Sequence, residues 1–117
     1  MTVAVIGSDE VTVNNIGRFI PANTTEIAVG LINDVDEAAR KYAHSQMIGV
    51  TTFMPLYDIN GQELPLNRIE YMIKYADEVI AFWDSTSKNI RHAVKICKQS
   101  GVPINIYIRG KHDWVKL

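Results

Sequence analysis

Thr2-Val3-Ala4-Val5-Ile6-Gly7-Ser8 begins with five residues that are apolar or β-branched and closes with a glycine and a serine. A strand with one wet face alternates apolar and polar residues. This run is unbroken, the pattern of a strand covered on both faces in a parallel sheet. Gly7-Ser8 marks its turn. Four further segments read the same way: Glu26 to Val29, Thr51 to Met54, Glu78 to Trp83 and Ile104 to Ile108, with Pro55 ending the third.

Helical patterns lie between them. Asp34 to Gln46 spaces Val35, Ala38, Ala39 and Tyr42 along one face, opens with acidic residues that suit a helix N-terminus, and stops before Gly49. Leu66 to Tyr75 places Ile69, Met72 and Ile73 together after Pro65, a start signal. Asn89 to Ser100 aligns Ile90, Ala93, Val94 and Cys97, with Gly101 and Pro103 as the stop. Val11 to Ile20 is the remaining helical segment, although Asn14, Asn15 and Gly17 are poor helix formers. Tyr57 to Leu64, centred on Asn60-Gly61, reads as a loop or a small hairpin. Strand and helix alternating in this way predict an α/β fold: a Rossmann-like, doubly wound parallel sheet of five strands in the order 3-2-1-4-5, with helices on both faces.

The length of 117 residues fits one domain, residues 1–117. A chain of 13.2 kDa should fold to about 6,400 Å² of surface, burying about two-thirds of what it exposes unfolded. Such a core needs no metal or disulfide staple. Hydrophobic residues make up 47% and charged residues 21%, which excludes a disordered chain. The net charge of -1 disfavours nucleic acid as a partner. The single cysteine and the lack of a basic-then-apolar leader point to the cytoplasm. Apolar runs such as Val79 to Trp83 fall far short of the roughly 20 residues needed to cross a bilayer, so no membrane span is expected.

Ligands of open α/β sheets bind beyond the carboxyl ends of the strands. That rule selects Gly7 to Glu10, Gly30 to Asp36, Pro55 to Arg68 and Asp84 to Asn89. Each candidate residue also has a purely structural reading. Gly7-Ser8 is a strand-ending turn or a ligand loop. Asp34 and Asp36 cap a helix or face a ligand. Trp83-Asp84 is a core aromatic followed by an N-cap, or reads a ribose or base. Arg68 is a solvated cation or a phosphate or carboxylate partner. His44, His92 and His112 lack metal-ligand spacing with one another and with Cys97, which reads as a core residue, so no metal site is expected. Lys88, Arg91, Lys95 and Lys98 follow a helical face that reads as solvated.

In these loops the chain resembles the small YspA-like branch of the SLOG superfamily, a Rossmann-like group that includes LOG phosphohydrolases and DprA-type proteins. Gly7-Ser8 matches a strand ending in G-S-R, and Gly30 and Asp36 match the ends of S-G-G-A-R-G-A-D. Arg68 and Met72 match R-N-x-x-M. Ala76-Asp77 and Ile80-Ala81-Phe82-Trp83-Asp84 with Ser87 match A-D-x-x-I-A-F-W-D-G-x-S. The resemblance implies a domain that binds a nucleotide or nucleotide-derived ligand through Gly7, Ser8, Gly30, Asp36, Arg68, Trp83, Asp84 and Ser87. No cofactor is named by the sequence; partners would be that small molecule and, in a homo-oligomer, further copies of the chain.

The chain departs from the pattern where a phosphate would sit. Asp9 replaces the arginine after Gly-Ser, Gly30 to Asp36 lacks two glycines and an arginine, Ile69 stands for the asparagine after Arg68, and Asn89-Ile90 replace a closing G-T. These changes predict an acidic mouth of Asp9, Asp34 and Asp36. They also keep a second reading open, a degenerate member acting through protein contacts, with Leu31 and Ile32 filling the loop region. A third reading, an N-glycosidic phosphohydrolase, would need Asp36 or Asp84 as general acid or base. The LOG pattern P-G-G-x-G-T-x-x-E is missing, as are G-x-S-x-G, Walker-type and H-E-x-x-H strings, so no catalyst is named.

Overall fold

The computed structural model describes residues 1–117. The opening run forms β1 (Thr2–Gly7), bonded in parallel to β2 (Glu26–Val29) on one side and β4 (Glu78–Trp83) on the other. Beyond them lie β3 (Gly49–Thr52) and β5 (Ile104–Arg109), both parallel to their neighbours. Three helices make three of the four crossovers, α1 (Asp34–Ser45), α2 (Pro65–Tyr75) and α3 (Lys88–Ser100), while the β1–β2 connection holds no α-helix. The sheet order is β3-β2-β1-β4-β5-β6.

The apolar runs serve two cores because alternate side chains of a strand leave by opposite faces. Val3, Val5, Ile27, Val29, Ile80 and Phe82 meet α1 through Val35, Ala39 and Ala43. Ala4, Ile6, Ala28, Val79 and Ala81 meet α2 through Ile69, Met72 and Ile73, and α3 through Ile90, Ala93, Ile96 and Cys97. Bulk is exchanged between the layers. The sheet offers mostly valine, isoleucine and phenylalanine where α1 offers alanine, and mostly alanine where the large side chains of α2 arrive. Helix and sheet thus interdigitate at constant depth, as close packing requires. The folded surface is 6695 Å², near the value expected from mass alone. No helix is long and apolar enough to cross a membrane.

Three expectations need correction. The sheet has six strands, not five: β6 (Trp114–Lys116) runs antiparallel to β5 on its outer edge. A tight turn joins them, with the Gly110 N–H donating to the Asp113 carbonyl at 2.7 Å. Trp114 anchors the strand edge-on to Phe82, with ring centroids 5.3 Å apart. Three residues are too few to show a period, so tertiary burial of one indole makes this strand.

The helix expected over Val11 to Ile20 shrinks to a 3-10 turn, Ile16–Phe19, entered through Asn15 in the left-handed region at φ 59°. A Cβ on Gly17 would overlap the Tyr42 ring, so the glycine is there for close approach to α1. The third strand covers Gly49–Thr52, two residues earlier than expected. It ends as the Phe53 N–H donates to the Val29 carbonyl at 2.7 Å, just ahead of Pro55.

The 3-10 turn is clamped to the β5–β6 turn by a bidentate ion pair between Arg18 and Asp113. Hydrogen bonding from Arg18, helped by the Trp114 N–H, holds the Asp113 carboxyl down at about 2. A carboxylate depressed in the folded state stabilises the fold above its ordinary range, near 4, and loses that contribution as pH falls through about 2. Arg18→Ala should therefore move the Asp113 titration midpoint, followed by NMR, upward toward the ordinary carboxylate range. An unmoved midpoint would show that the clamp does not form in solution.

Candidate functional site

The carboxyl ends of β1, β2 and β4 share one edge of the sheet, and the N-termini of α1 and α3 face that edge. Between them is a cleft lined by Ile6, Gly7, Asp9, Asn33, Asp36, Arg68, Ile69, Asn89 and Ile90. Its volume of about 20 Å³ holds a single water-sized group.

Arg68 carries the most unusual chemistry here. It projects from the first turn of α2, is only 8% exposed, and its Nε has no partner. None of its guanidinium nitrogens donates to a protein acceptor, and no carboxylate lies within the 4.0 Å of an ion pair. Gly30 is the floor that admits it, since a Cβ there would collide with Arg68 Nη1 and crowd Asp36 Oδ2. A buried guanidinium without hydrogen-bond partners is costly; the Asp36 carboxylate, against the same Gly30 position, is a neighbouring counter-charge but not a hydrogen-bond partner, and an anion entering the cleft would supply the missing bonds.

The two helix N-termini differ. α1 is closed by its own side chains. The Asp36 N–H donates to Asn33 Oδ1 at 3.0 Å, while Asp36 Oδ2 accepts from the N–H groups of Ile32 at 3.1 Å and Asn33 at 3.4 Å. This is a capping box. Asn33 Nδ2 also donates to the Gly7 carbonyl at 2.9 Å and to Asp9 Oδ1 at 3.2 Å, tying the loops after β1 and β2 together. α3, in contrast, has no side-chain cap, and the N–H groups of Lys88, Asn89 and Ile90 find no acceptor within the chain. Asn89 and Ile90 line the cleft. Free N–H groups and the positive end of the helix dipole thus face the same space as Arg68.

The eight residues singled out from sequence divide into two groups. Gly7, Asp36 and Arg68 line the cleft, with Gly30 beneath Arg68. Gly7 is required sterically, because a Cβ there would overlap Val35. Ser8, Trp83, Asp84 and Ser87 instead build the turn between β4 and α3. Buried Ser8 donates its N–H to the Phe82 carbonyl at 2.9 Å and accepts the Asp84 N–H on Oγ at 3.1 Å. Trp83 is more than half buried, and its Nε1 donates to the Ser87 carbonyl at 3.2 Å.

The Asp84 carboxylate, expected to face the cleft, turns back to accept the N–H groups of Thr86 and Ser87, each at 2.8 Å. These bonds, Thr86 first, hold its carboxyl below the ordinary value. The acidic mouth is also smaller than expected. Asp34 lies outside the cleft and accepts from Thr12 Oγ1 at 3.2 Å, leaving Asp9 and Asp36. Leu31 and Ile32 do not fill the region; they are 51% and 45% exposed.

Sequence reasoning passed over Asn33 and Asn89. The spacing Asn33-x-x-Asp36 is a legible capping signal; Asn89 closes a strand-end loop and stands where the resembled pattern has its closing glycine, which reads only as a departure from that pattern. Cys97 is buried on the inner face of α3, and burial pushes its thiol up to about 11, which suits a packing residue. A second, roomier cleft of about 210 Å³ lies beyond the loop after β1, lined by Glu10, Val11, Thr12, Arg109 and Trp114.

Comparison of the chain with protein-family models, with curated proteins and with solved structures gives no match.

The Asp84 turn makes a stability prediction. Asp84→Ala should cost about 1–2 kcal/mol, the usual loss of a side chain capping backbone N–H groups, whereas Asp84→Asn keeps an acceptor oxygen and should cost less. Because the folded-state pKa is depressed, the carboxylate's own contribution is complete above the ordinary range and disappears as pH falls through the folded value. Urea denaturation of the three proteins at neutral and acid pH measures both effects. Equal stability of Asp84→Ala and wild type would show that the turn is held by something else.

Proposed function

We propose that this chain binds a nucleotide or nucleotide-derived small molecule, with the ligand's phosphate received between Arg68 and the open N-terminus of α3. The observation that carries the proposal is the Arg68 guanidinium, nine-tenths buried with no hydrogen-bond partner and sharing its cleft with Asn89 and Ile90 at the uncapped start of α3. A phosphate or carboxylate meets both: bidentate hydrogen bonds suit the guanidinium fork, and the helix end favours negative charge. The small cleft accepts the anionic group alone, leaving the rest of the ligand over the strand ends. That the anion belongs to a nucleotide rests on the resemblance to the SLOG group, whose doubly wound, Rossmann-like architecture belongs to the same proposal. The protein would act in the cytoplasm.

A second reading, a degenerate member working through protein contacts, is favoured by Asp9 and Asp36 in the same cleft. Two unit charges at about 4 Å interact by about 4 kcal/mol at an effective dielectric of 20, so either carboxylate can offset much of what Arg68 offers. The exposed Leu31 and Ile32 weigh against it, because the loop is not plugged. Phosphohydrolysis has the least support. The Asp84 carboxylate is hydrogen-bonded into a turn, with its carboxyl held below the ordinary value rather than raised, as a general acid requires. Asp36 is committed to the capping box.

Calorimetric titration with AMP, NAD and ADP-ribose should show weak binding by the wild type, stronger binding by Asp9→Arg, and none by Arg68→Met. The last variant should keep or raise the thermal midpoint, since it removes a buried guanidinium without hydrogen-bond partners, whereas a purely structural arginine would lower it. Binding that neither substitution changes would place the anion elsewhere and end the proposal.

A further inference from the structure

Two separate segments build the roomier cleft beyond the loop after β1, and they bring opposite chemistry to it. Glu10, Val11 and Thr12 come from that loop; Arg109 and Trp114 come from the hairpin of β5 and β6, where they are cross-strand partners. The hairpin wall supplies donors. Arg109 lies over the Trp114 indole, with Cζ 5.5 Å from the ring centroid, and belongs to no ion pair. Asp113, a carboxylate that Arg109 helps to hold down, is already claimed by its bidentate pair with Arg18. Trp114 is 8% exposed, and its buried Nε1 has no acceptor in the chain. Buried indole N–H groups ordinarily find a partner, so this one is an exception.

The loop wall supplies acceptors. Glu10 is exposed and belongs to no ion pair. Thr12 gives its hydroxyl proton to Asp34 Oδ2 at 3.2 Å, which leaves Oγ1 free only to accept. Val11, between these two in the chain, is the apolar part of the wall. Glu10 and Arg109 thus border one cleft with opposite charge, yet stand more than 4.0 Å apart. An anion alone would meet repulsion from Glu10, and a cation alone would meet it from Arg109. A molecule that carries both charges is attracted by each wall.

We propose that this cleft binds a free α-amino acid with a small apolar side chain. Its carboxylate lies against Arg109 and the Trp114 indole, its ammonium against Glu10 and Thr12, and its side chain on Val11. Charge-assisted hydrogen bonds at both ends fix the orientation. The volume of about 210 Å³ is below the roughly 300–1,000 Å³ of pockets for drug-sized ligands, which suits a molecule of this size. None of the five lining residues borders the Arg68 cleft, so this site does not depend on the anion site.

The indole N–H resonance of Trp114, followed by heteronuclear NMR on the full chain, reports directly on this wall. The chain has two tryptophans, and Trp83→Phe assigns their resonances. L-Alanine, L-valine or L-leucine should move the Trp114 resonance saturably. N-Acetyl-L-valine, which lacks the ammonium, and L-valinamide, which lacks the carboxylate, should leave it in place. Glu10→Gln and Arg109→Gln should each weaken L-valine binding about tenfold or more, the usual worth of a hydrogen bond to a charged group. Both side chains are exposed, so the thermal midpoint without amino acid should remain that of the wild type. A resonance that none of the three amino acids moves, equal shifts from the blocked forms, or variants that bind L-valine as the wild type does would each overturn the proposal.

Discussion

Everything in this fold depends on β1 being bonded on both sides and buried on both faces. Val3, Ala4 and Val5 have no exposed surface, so every backbone polar group between Thr2 and Gly7 must be paired within the sheet. β2 and β4 do this in parallel register, Ala4 lying beside Ala28 on one side and Val79 on the other. Parallel neighbours cannot be joined by tight turns, so helices must return the chain and cover the faces. The same constraint collects the carboxyl ends of the strands and the N-termini of α1 and α3 at one edge. The candidate site is thus a by-product of how the core is closed.

At that edge the chain satisfies most polar groups internally and leaves one set unmet. Ser8 joins the ends of β1 and β4, Asp84 closes the following turn, and Asn33 with Asp36 caps α1 while tying two loops together. Arg68 and the first N–H groups of α3 are the exceptions. All of them carry positive charge or partial charge, and they face a space that admits only a small group. Buried polar groups in folded proteins are overwhelmingly satisfied, which makes Arg68 Nε a departure, as are Thr24 Oγ1, His92 Nε2 and Trp114 Nε1 elsewhere in the fold. Asp9, exposed at the rim, accepts a hydrogen bond from Asn33.

Much of the architecture was legible in the sequence because it depends on local periodicity. Unbroken apolar runs announced strands covered on both faces, and the spacing of Val35, Ala39 and Ile69, Met72, Ile73 announced the helices that cover them. The order of the five parallel strands is readable from the repeated strand–helix pattern together with right-handed crossovers. β6 and the 3-10 turn were not legible. Each is held by one distant contact, Trp114 on Phe82 and Gly17 on Tyr42, rather than by a repeated pattern.

The site divides along the same line. By itself the sequence determined which residue types stand at the strand ends, including Gly7, Gly30, Asp36, Arg68 and the turn of Trp83, Asp84 and Ser87, because position after a strand is a local property. Only the tertiary structure decided what each side chain does there. Hydrogen-bond direction is settled by groups brought together from distant parts of the chain. Asp84 is drawn back to its own turn once Ser8 fixes its backbone, Asp36 is spent on Asn33, and Arg68 is left buried over Gly30 with no partner. A carboxylate and a guanidinium look equally available in a sequence; burial and competing donors and acceptors determine which one remains free.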